Sequence, residues 1–260
     1  MKGRILIIAG SDSGGGAGIQ GDIKTVSALG GYAMTAITAI TVQNTCEVSD
    51  VHAVPAHIIA AQMNVTLSDI GADALKTGML HDAEVIETIA SVISKKAKTI
   101  PCVVDPVMIS KSGNALLKAN AVAALKEKLL PLATLITPNI PEAETLLERK
   151  ITDVRKAAQE LGRFKSKAVL LKGGHVPGDV ITDVLWDGSV LHEWQSPRIQ
   201  TTHTHGTGCT LASAIAVSLG QGLSLTDSVA RAREYVIGAI KNAPGYGKGH
   251  GPLNHNWNQS

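Results

Sequence analysis

A glycine-containing segment near residue 205 directly precedes an apolar helical repeat, and this arrangement suits anion binding. Residues 205–210 read His-Gly-Thr-Gly-Cys-Thr, and Leu211, Ile215 and Leu219 follow at helical spacing. The glycines let the backbone turn sharply into the helix. The first helical turn leaves N–H groups unpaired and carries the positive end of the helix dipole. These properties predict a site for a phosphate or for a phosphoryl group during transfer.

Cys209 lies inside this predicted anion site. The helix dipole and the free N–H groups favour a thiolate there, so we expect the pKa of the Cys209 thiol to be lowered. Such a thiol can act as a general base or as a hydrogen-bonding group. From these residues alone, the alternative is a glycine-rich loop whose buried cysteine only contributes to packing.

Polar residues follow the ends of several predicted strands. These strand ends are residues 10–18, 41–44, 76–79, 105–106, 137–139 and 172–175. In an open parallel sheet, ligands bind beyond the carboxyl ends of the strands. Several such ends together predict one shared ligand site better than any single motif does.

Asn139 and Glu142 have two interpretations. Pro141 suits the first position of a helix, which places Glu142 in the first turn and Asn139 just ahead of it. An amide and a carboxylate in that position can hold a hydrated Mg²⁺. Asn139 can equally cap the helix, with the Glu142 carboxylate favoured by the helix dipole. Capping is the simpler local interpretation, and an anion site elsewhere in the chain favours the metal.

Two further strand ends carry charged residues. Lys172 precedes Gly173 and Gly174, so its ammonium can reach a phosphate while the glycines admit a nucleotide. The same segment is also compatible with a simple turn. Asp105 stands before Pro106 and is either an active-site carboxylate or a turn residue.

The composition of the 260 residues argues against several classes of partner. A net charge of +2, with three Trp, three Tyr and one Phe, predicts no surface for duplex or single-stranded nucleic acid. The sequence contains no run of about twenty apolar residues, so we expect no membrane span. Its three cysteines have no paired spacing, which is typical of a reduced thiol pool and favours the cytoplasm.

Short apolar segments alternate with helical periodicity along nearly the whole chain. The predicted strands are 5–9, 35–40, 74–76, 103–105, 135–137 and 169–172, and the predicted helices lie near 19–29, 56–69, 83–96, 119–130 and 153–164. A β-hairpin over 180–185 and 190–194 follows, then helices near 209–219 and 225–242 and a glycine-rich irregular tail. This pattern predicts one α/β domain over 1–260, with a mostly parallel central sheet and helices on both faces.

Competing motifs fit less well. Residues 16–21 match the dinucleotide-binding pattern, but the second strand ends in residues 41–44 without a carboxylate to hold a ribose. The P-loop pattern is absent, and no nucleophile elbow stands at a predicted strand–helix turn. His203 and His205 can chelate a metal, but no third ligand stands at a matching spacing. We therefore expect both histidines to be solvated loop residues.

In this order, the motifs resemble those of one enzyme family. The matching segments are GSDSGGGAGIQGDIK (10–24), TVQNT (41–45), KTGML (76–80), VDPVM (104–108), TPNIPEAE (137–144), KGGH (172–175), HGTGCT (205–210) and GHGP (249–252). They are similar to those of the bacterial hydroxymethylpyrimidine/phosphomethylpyrimidine kinases of thiamine biosynthesis. The resemblance implies a ribokinase-like three-layer sandwich, ATP with Mg²⁺ as phosphoryl donor, and a homodimer. It also implies successive phosphorylation of 4-amino-5-hydroxymethyl-2-methylpyrimidine and of its monophosphate.

The same resemblance implies a role for each matching position. An anion hole is implied for Gly206, Thr207, Gly208 and Cys209, and sugar kinases of the superfamily have an aspartate base in the place of Cys209. Gln43 is implied to read the aminopyrimidine edge, with further substrate contacts from Ala17, Asp22, Val42 and Met79. The resemblance implies that Lys172 and Gly174 face ATP and that Asn139 and Glu142 hold the metal waters. We expect Asp105 and Asn139 to belong with Lys172 and Gly174 to the cofactor-binding residues, with Glu142 as the metal residue.

Two alternatives remain. One is a pyridoxine or pyridoxal kinase of the same fold, because those substrates carry a similar ring and hydroxymethyl group. The other is a non-catalytic vitamin-binding sensor. An intact anion hole together with Glu142 and Lys172 argues against the sensor.

Overall fold

The computed structural model describes residues 2–109, 116–118 and 120–259, and the strands within them form one sheet. The strands are β1 (Arg4–Asp12), β2 (Tyr32–Gln43), β3 (Val48–Ala53), β4 (Ala74–Thr77), β5 (Cys102–Val104), β6 (Leu135–Ile136), β7 (Val169–Leu171), β8 (Val180–Trp186) and β9 (Leu191–Pro197). Their order is β3-β2-β1-β4-β5-β6-β7-β8-β9. Neighbours from β2 to β7 pair in parallel, whereas β3, β8 and β9 pair antiparallel. The predicted α/β class with a mostly parallel sheet is confirmed.

Helices cover both faces of this sheet. They are α1 (Gly18–Ala28), α2 (Ala56–Asp69), α3 (Ala83–Lys96), α4 (Ala121–Ala124), α5 (Ile140–Leu147), α6 (Val154–Leu161), α7 (Thr207–Gly220) and α8 (Leu225–Lys241). Ile5 and Ile7 of β1 pack in one apolar core with α1, α7 and α8. Leu6 and Ile8 pack in the other core with α2, α3, α5 and α6. Because β1 is buried on both sides, it is a continuous apolar run.

Two elements differ from the prediction for identifiable reasons. The helix predicted near 119–130 consists of α4, a π-helical turn at Leu125–Leu129 and a 3₁₀ turn at Leu130–Leu132, and residue 119 lies outside the described residues. Pro131 lacks an N–H group, so regular α-helical bonding cannot continue there. The strand β3 was not predicted, because it pairs at the edge of the sheet and only its first residue is buried.

In the part of the chain that the structure describes, no helix is both long and apolar enough to cross a membrane.

Candidate active site

A cavity of about 960 Å³ lies where the parallel strands end. β1 ends at Asp12, β4 at Thr77 and β5 at Val104, and the residues that follow these strands meet at the cavity. The predicted site residues that line it are Ala17, Gln43, Met79, Asp105, Asn139, Glu142, Lys172, Gly174, Gly206, Thr207, Gly208 and Cys209. The strand ends thus share one pocket, as predicted, while the chemical role of each residue remains a prediction.

The turn into α7 depends on Gly206. Its φ is +84°, and a Cβ at this position would stand 1.9 Å from the carbonyl oxygen of Gly16. Only glycine meets both conditions without strain. The turn brings segment 205–210 against the glycine loop that follows β1. It also aims the first turn of α7, whose N–H groups have no helical partner, at the cavity.

Cys209 lines the cavity, but the prediction that its thiol pKa is lowered is wrong. Burial raises the pKa of the Cys209 thiol to about 11, although the Lys76 ammonium and the backbone N–H of Gly18 oppose this shift. The argument from the helix terminus omitted desolvation, which disfavours the charged form of a group enclosed by protein. Cys209 is therefore a neutral thiol in the resting protein at neutral pH.

A charged cluster beside segment 205–210 consists of Asp105, Lys172 and Glu142. Lys172 Nζ lies 2.9 Å from Asp105 Oδ1 and 4.0 Å from Glu142 Oε2, and Thr137 Oγ1 donates to Asp105 Oδ1 over 2.9 Å. Burial lowers the pKa of Lys172, but the two carboxylates outweigh it and the net shift is upward. Burial raises the pKa of Glu142 to about 7 despite the attraction of Lys172. The cluster thus places the Lys172 ammonium between two carboxyl groups, and burial makes the Glu142 carboxyl hold its proton to a higher pH than usual.

Asn139 and Glu142 form the capping arrangement that was the simpler interpretation. Asn139 Oδ1 accepts from the Glu142 N–H over 2.9 Å, and Glu142 Oε2 accepts from the Asn139 N–H over 2.8 Å. Pro141 occupies the second helical position and not the first, because α5 begins at Ile140. The capping role leaves the Glu142 carboxyl on the cavity wall.

The donor set around Glu142 fits a hydrated Mg²⁺. Two carboxyl groups, those of Asp105 and Glu142, line the same cavity, and Mg²⁺ in proteins usually binds through one or two carboxylates plus waters and phosphates. Among the described residues, no three His, Cys, Asp or Glu side chains form a metal cage. Glu142 and Asp105 would hold such an ion through its waters.

Two predicted substrate contacts need correction. Asp22, on α1, is fully buried beneath the cavity and does not line it. Its carboxylate accepts from Lys76 Nζ over 2.7 Å and from Ser213 Oγ over 2.7 Å. Val42 is 57% exposed and is also absent from the cavity wall. Side chains alternate between the two faces of β2, so the Val42 side chain lies on the opposite face from that of Gln43. Neither Asp22 nor Val42 lines the cavity.

The structure also brings together a pair that the sequence analysis missed. His205 is 8% exposed, and its Nε2 lies 2.8 Å from Asp12 Oδ2, so the prediction of a solvated loop histidine is wrong for His205. Burial raises the pKa of Asp12, but His205 and the N–H groups of Ala17 and Gly14 outweigh it and lower the pKa overall. In the sequence, the only indication of this pair was that Asp12 and His205 both belong to glycine-containing motifs.

Arg198 binds the backbone of the loop after β7. The guanidinium donates to the carbonyl oxygens of Gly174, Val176 and Gly178, over 2.9 Å and 2.7 Å for the first and last. A Cβ at Gly174 would meet no atom within 4 Å, so the cavity is open at this residue. This end of the cavity has room for a ligand next to Lys172.

A helix N-terminus, a lysine and two carboxylates around one cavity, on an α/β sheet of this order, define a small-molecule phosphotransferase of the ribokinase-like class. The family model described as phosphomethylpyrimidine kinase matches residues 12–254. The chain belongs to the phosphomethylpyrimidine kinase family.

Curated relatives agree with this assignment over nearly the whole chain. The hydroxymethylpyrimidine/phosphomethylpyrimidine kinase of Streptomyces coelicolor is 46% identical over 97% of this chain and 94% of its own length. The thiamine biosynthesis bifunctional protein ThiED of Geobacter sulfurreducens is 50% identical over 98% of this chain. The chain spans 52% of that longer protein.

Solved structures give the same fold. An ADP complex of Bacillus subtilis pyridoxal kinase superposes with a TM-score of 0.91 at 36% identity, covering 100% of this chain and 99% of that one. Phosphomethylpyrimidine kinase from Clostridium difficile superposes with a TM-score of 0.81 at 42% identity, covering 91% of this chain and 99% of that one. The predicted ribokinase-like fold is confirmed.

Proposed function

We propose that this chain transfers a phosphoryl group from ATP, with Mg²⁺, to 4-amino-5-hydroxymethyl-2-methylpyrimidine and then to the resulting monophosphate. The observation that carries the proposal is that Lys172, Gln43 and residues 206–209 line one cavity. The names of the curated relatives, hydroxymethylpyrimidine/phosphomethylpyrimidine kinases, support the choice of substrate.

The donor end of the cavity is the charged cluster. Lys172 carries a positive charge that faces the cavity, and the open backbone at Gly174 leaves room for a nucleotide beside it. Mg²⁺, held by Glu142 and Asp105 with Asn139 positioning Glu142, would neutralise charge on the transferring phosphoryl group. Fixed positive charge placed where negative charge develops is the main source of rate in phosphoryl transfer.

The acceptor end of the cavity lies between the glycine loop that follows β1 and segment 205–210. Gln43, Ala17 and Met79 line it, and the hydroxymethyl group of a substrate placed there would approach Cys209 and the N–H groups of Thr207 and Gly208. The acceptor oxygen must lose a proton as it attacks, and we propose that Cys209 receives it. Because the resting thiol is neutral, this role requires the thiol to be ionised when the substrates are bound.

A pyridoxal kinase is the second candidate. Structural neighbours that are pyridoxal kinases, such as that of Bacillus subtilis, superpose well on this chain. The curated relatives at 46–50% identity are named for the pyrimidine or for thiamine biosynthesis, and therefore favour the pyrimidine. A non-catalytic sensor is set aside, because the matching family model is described as phosphomethylpyrimidine kinase and the curated relatives are named as kinases.

We further propose one domain over 1–260, action in the cytoplasm and a homodimer. Ile40 and Val42 support self-association, since these apolar residues on one face of β2 are 50% and 57% exposed. Light scattering after size exclusion, compared between the wild type and Ile40→Lys, tests the dimer.

A coupled ATPase assay with four acceptors tests the proposed function. Hydroxymethylpyrimidine and its monophosphate are expected to support ATP turnover in the presence of Mg²⁺, with a smaller kcat/KM for pyridoxal and no turnover with ribose. Lys172→Met should abolish the activity, whereas Lys118→Met, a change at an exposed lysine outside the cavity, should not. Turnover with pyridoxal alone would overturn the assignment.

A further inference from the structure

The β7–β8 loop (residues 172–179) has little packing of its own. Residues 174–179 are all exposed, and two of them are glycines, of which Gly178 has a φ of +120°. Exposed backbone that contains glycine loses much conformational freedom when it is fixed in one shape. The shape of this loop must therefore come from specific hydrogen bonds.

The residue that follows Lys172 is fastened to the sheet. The Gly173 N–H donates to Asp183 Oδ1 over 2.8 Å, and Asp183 Oδ2 accepts from Arg233 Nε over 2.8 Å. A Cβ at Gly173 would stand 2.0 Å from the carbonyl oxygen of Thr182, so the backbone here lies directly against β8. The start of the loop is thus set by β8 and α8.

The exposed part of the loop is bound by Arg198. Its guanidinium donates to the carbonyl oxygens of Gly174, Val176 and Gly178, with one nitrogen used for each bond. The backbone N–H of Arg198 donates to the carbonyl oxygen of Asp179 over 2.7 Å. Carbonyl groups of alternate residues thus converge on one cation, which fixes the backbone and compensates the partial negative charge of the oxygens.

The β7–β8 loop and Arg198 both border the donor end of the cavity. Lys172, Gly174, His175 and Arg198 line it. Carbonyl oxygens that faced a polyphosphate there without a donor would repel it. A loop that had first to become ordered would also bind the nucleotide less tightly, because the ordering cost is subtracted from the binding free energy.

We propose that Arg198 is a positioning residue for the nucleotide, which keeps the β7–β8 loop ordered before the nucleotide binds. The inference rests on the proposed function, because that function places the nucleotide beside Lys172. When only a fraction of the molecules has an ordered loop, the apparent affinity for the nucleotide falls by that fraction. Gln43, Ala17 and Met79 line the acceptor end, so binding of the acceptor should not depend on Arg198.

The experiment compares the wild type with Arg198→Met, which keeps an apolar stem and removes the donors. Calorimetric titration with ADP and steady-state kinetics measure the effect. We expect the Kd for ADP and the KM for ATP to rise by about tenfold, because fixing one more loop residue on binding costs that much affinity. The KM for hydroxymethylpyrimidine should stay unchanged.

Two further variants serve as comparisons. Arg198→Lys keeps the charge but lacks the planar fork of donors, so it should recover only part of the lost affinity. Arg155→Met changes an exposed arginine that pairs with Glu193 and does not line the cavity. This control should match the wild type in both KM values.

Amide hydrogen exchange separates positioning from a general structural role. The N–H of Val176 donates to Gly173 and that of residue 198 to Asp179, so both amides report on the order of the loop. In Arg198→Met without nucleotide, both should exchange faster than in the wild type, and saturating ADP should slow them again. In the wild type, ADP should change their exchange much less, because the loop is already ordered.

Equal exchange of these amides in the wild type and in Arg198→Met would overturn the inference. A rise of both KM values in the same proportion would overturn it as well, as would full recovery of ADP affinity in Arg198→Lys without recovery of the slow exchange. If Arg198→Met does not fold, Arg198→Lys decides by the same measurements. A wild type that binds no ADP would instead refute the proposed function, and exchange without nucleotide would still report on the loop.

Discussion

Lys76 and Asp22 form a salt bridge, with 2.7 Å between Nζ and Oδ2, although neither side chain has any exposed surface. Lys76 belongs to β4 and Asp22 to α1, and Ser213 of α7 also donates to Asp22. The pair therefore joins the sheet to two helices beneath the cavity. Burial lowers the pKa of Lys76, but Asp22 and other nearby negative groups outweigh it, so the pKa is raised overall and Lys76 stays charged.

Removal of one member of this pair should destabilise the fold strongly. Lys76→Met leaves the Asp22 carboxylate buried without its counter-ion, which typically costs about 3–5 kcal/mol in the free energy of unfolding. Urea denaturation measures the change. The double variant Lys76→Met/Asp22→Leu should recover most of the loss. As a control, Lys118→Met disrupts the exposed pair with Asp82 and should cost at most about 1 kcal/mol. A small effect of Lys76→Met would contradict a charged pair.

Glu142→Gln should weaken the response to Mg²⁺. The Glu142 carboxyl has a pKa of about 7, so below that pH its proton must leave before the cation is held. In the wild type we therefore expect the Mg²⁺ concentration for half-maximal activity to fall as the pH rises from about 6 to about 8. Glu142→Gln should lower kcat. In this variant, the Mg²⁺ concentration for half-maximal activity should change with pH only as far as the titration of ATP itself requires. Equal turnover of both proteins at limiting Mg²⁺ would rule out the metal role.

Cys209 should react slowly with iodoacetamide at neutral pH. Its thiol pKa of about 11 leaves little thiolate, and the rate should increase as the pH is raised. The exposed Cys46 provides an internal comparison, and mass spectrometry assigns each alkylated site. Alkylation of Cys209 as fast as that of Cys46 would contradict the raised pKa.

Replacement of Cys209 also distinguishes two possible roles for this residue, that of a general base and that of a hydrogen-bonding group in the anion hole. If Cys209 takes the proton of the acceptor, Cys209→Ala should lower kcat by about 10²–10⁴ while KM for the pyrimidine changes little. Phosphoryl transfer through a loose transition state needs little help from a base. A nearly normal kcat would therefore leave Cys209 only a hydrogen-bonding role, without affecting the anion hole of the neighbouring residues.

The arrangement of elements could be predicted from the sequence better than the environment of individual side chains. The local sequence pattern correctly predicted the position of apolar runs such as 5–9 and of the strand ends at Asp105 and Lys172. The errors concern Asp22 and His205, whose partners Lys76 and Asp12 are 54 and 193 residues away. Burial and distant pairing set the charge and accessibility of a group, and neither has a local signature. For the same reason, the pKa of Cys209 was predicted in the wrong direction.

Gln43→Ala should raise KM for the pyrimidine. The variant removes a donor and an acceptor from the cavity, and leaving the substrate's polar groups unpaired should cost about 1–3 kcal/mol in kcat/KM. Steady-state kinetics measures this cost. Gln195→Ala, at an exposed position on β9, is a matched control that should leave KM unchanged. The recognition role would be wrong if Gln43→Ala retained the wild-type KM.

His255 should make the fold sensitive to acid. It is 4% exposed, its Nε2 lies 3.0 Å from Thr210 Oγ1, and burial lowers its pKa to about 4. The unfolded chain, with a histidine pKa near 6.5, binds the proton more readily, so this group's contribution is present above about pH 6.5 and is lost as pH falls towards 4. The loss should amount to about 3 kcal/mol at most.

Comparison of the wild type with His255→Gln isolates this group from the others that titrate. Between about pH 6.5 and about pH 4, the free energy of unfolding should fall more steeply for the wild type than for the variant. Parallel curves would show that His255 does not titrate in this way.

The contact of Asp12 with His205 joins the end of the first strand to a residue 193 positions later. His205 also pairs with Pro252, and the backbone of His250 donates to Thr45. On the ribosome, at about 5–20 residues per second, the first strand would wait roughly 10–40 s for the histidine that completes its end. The nascent chain must therefore carry an unfinished acceptor pocket until residue 205 and the segment around it have been made, and ligands of the pocket can stabilise the chain only after that point.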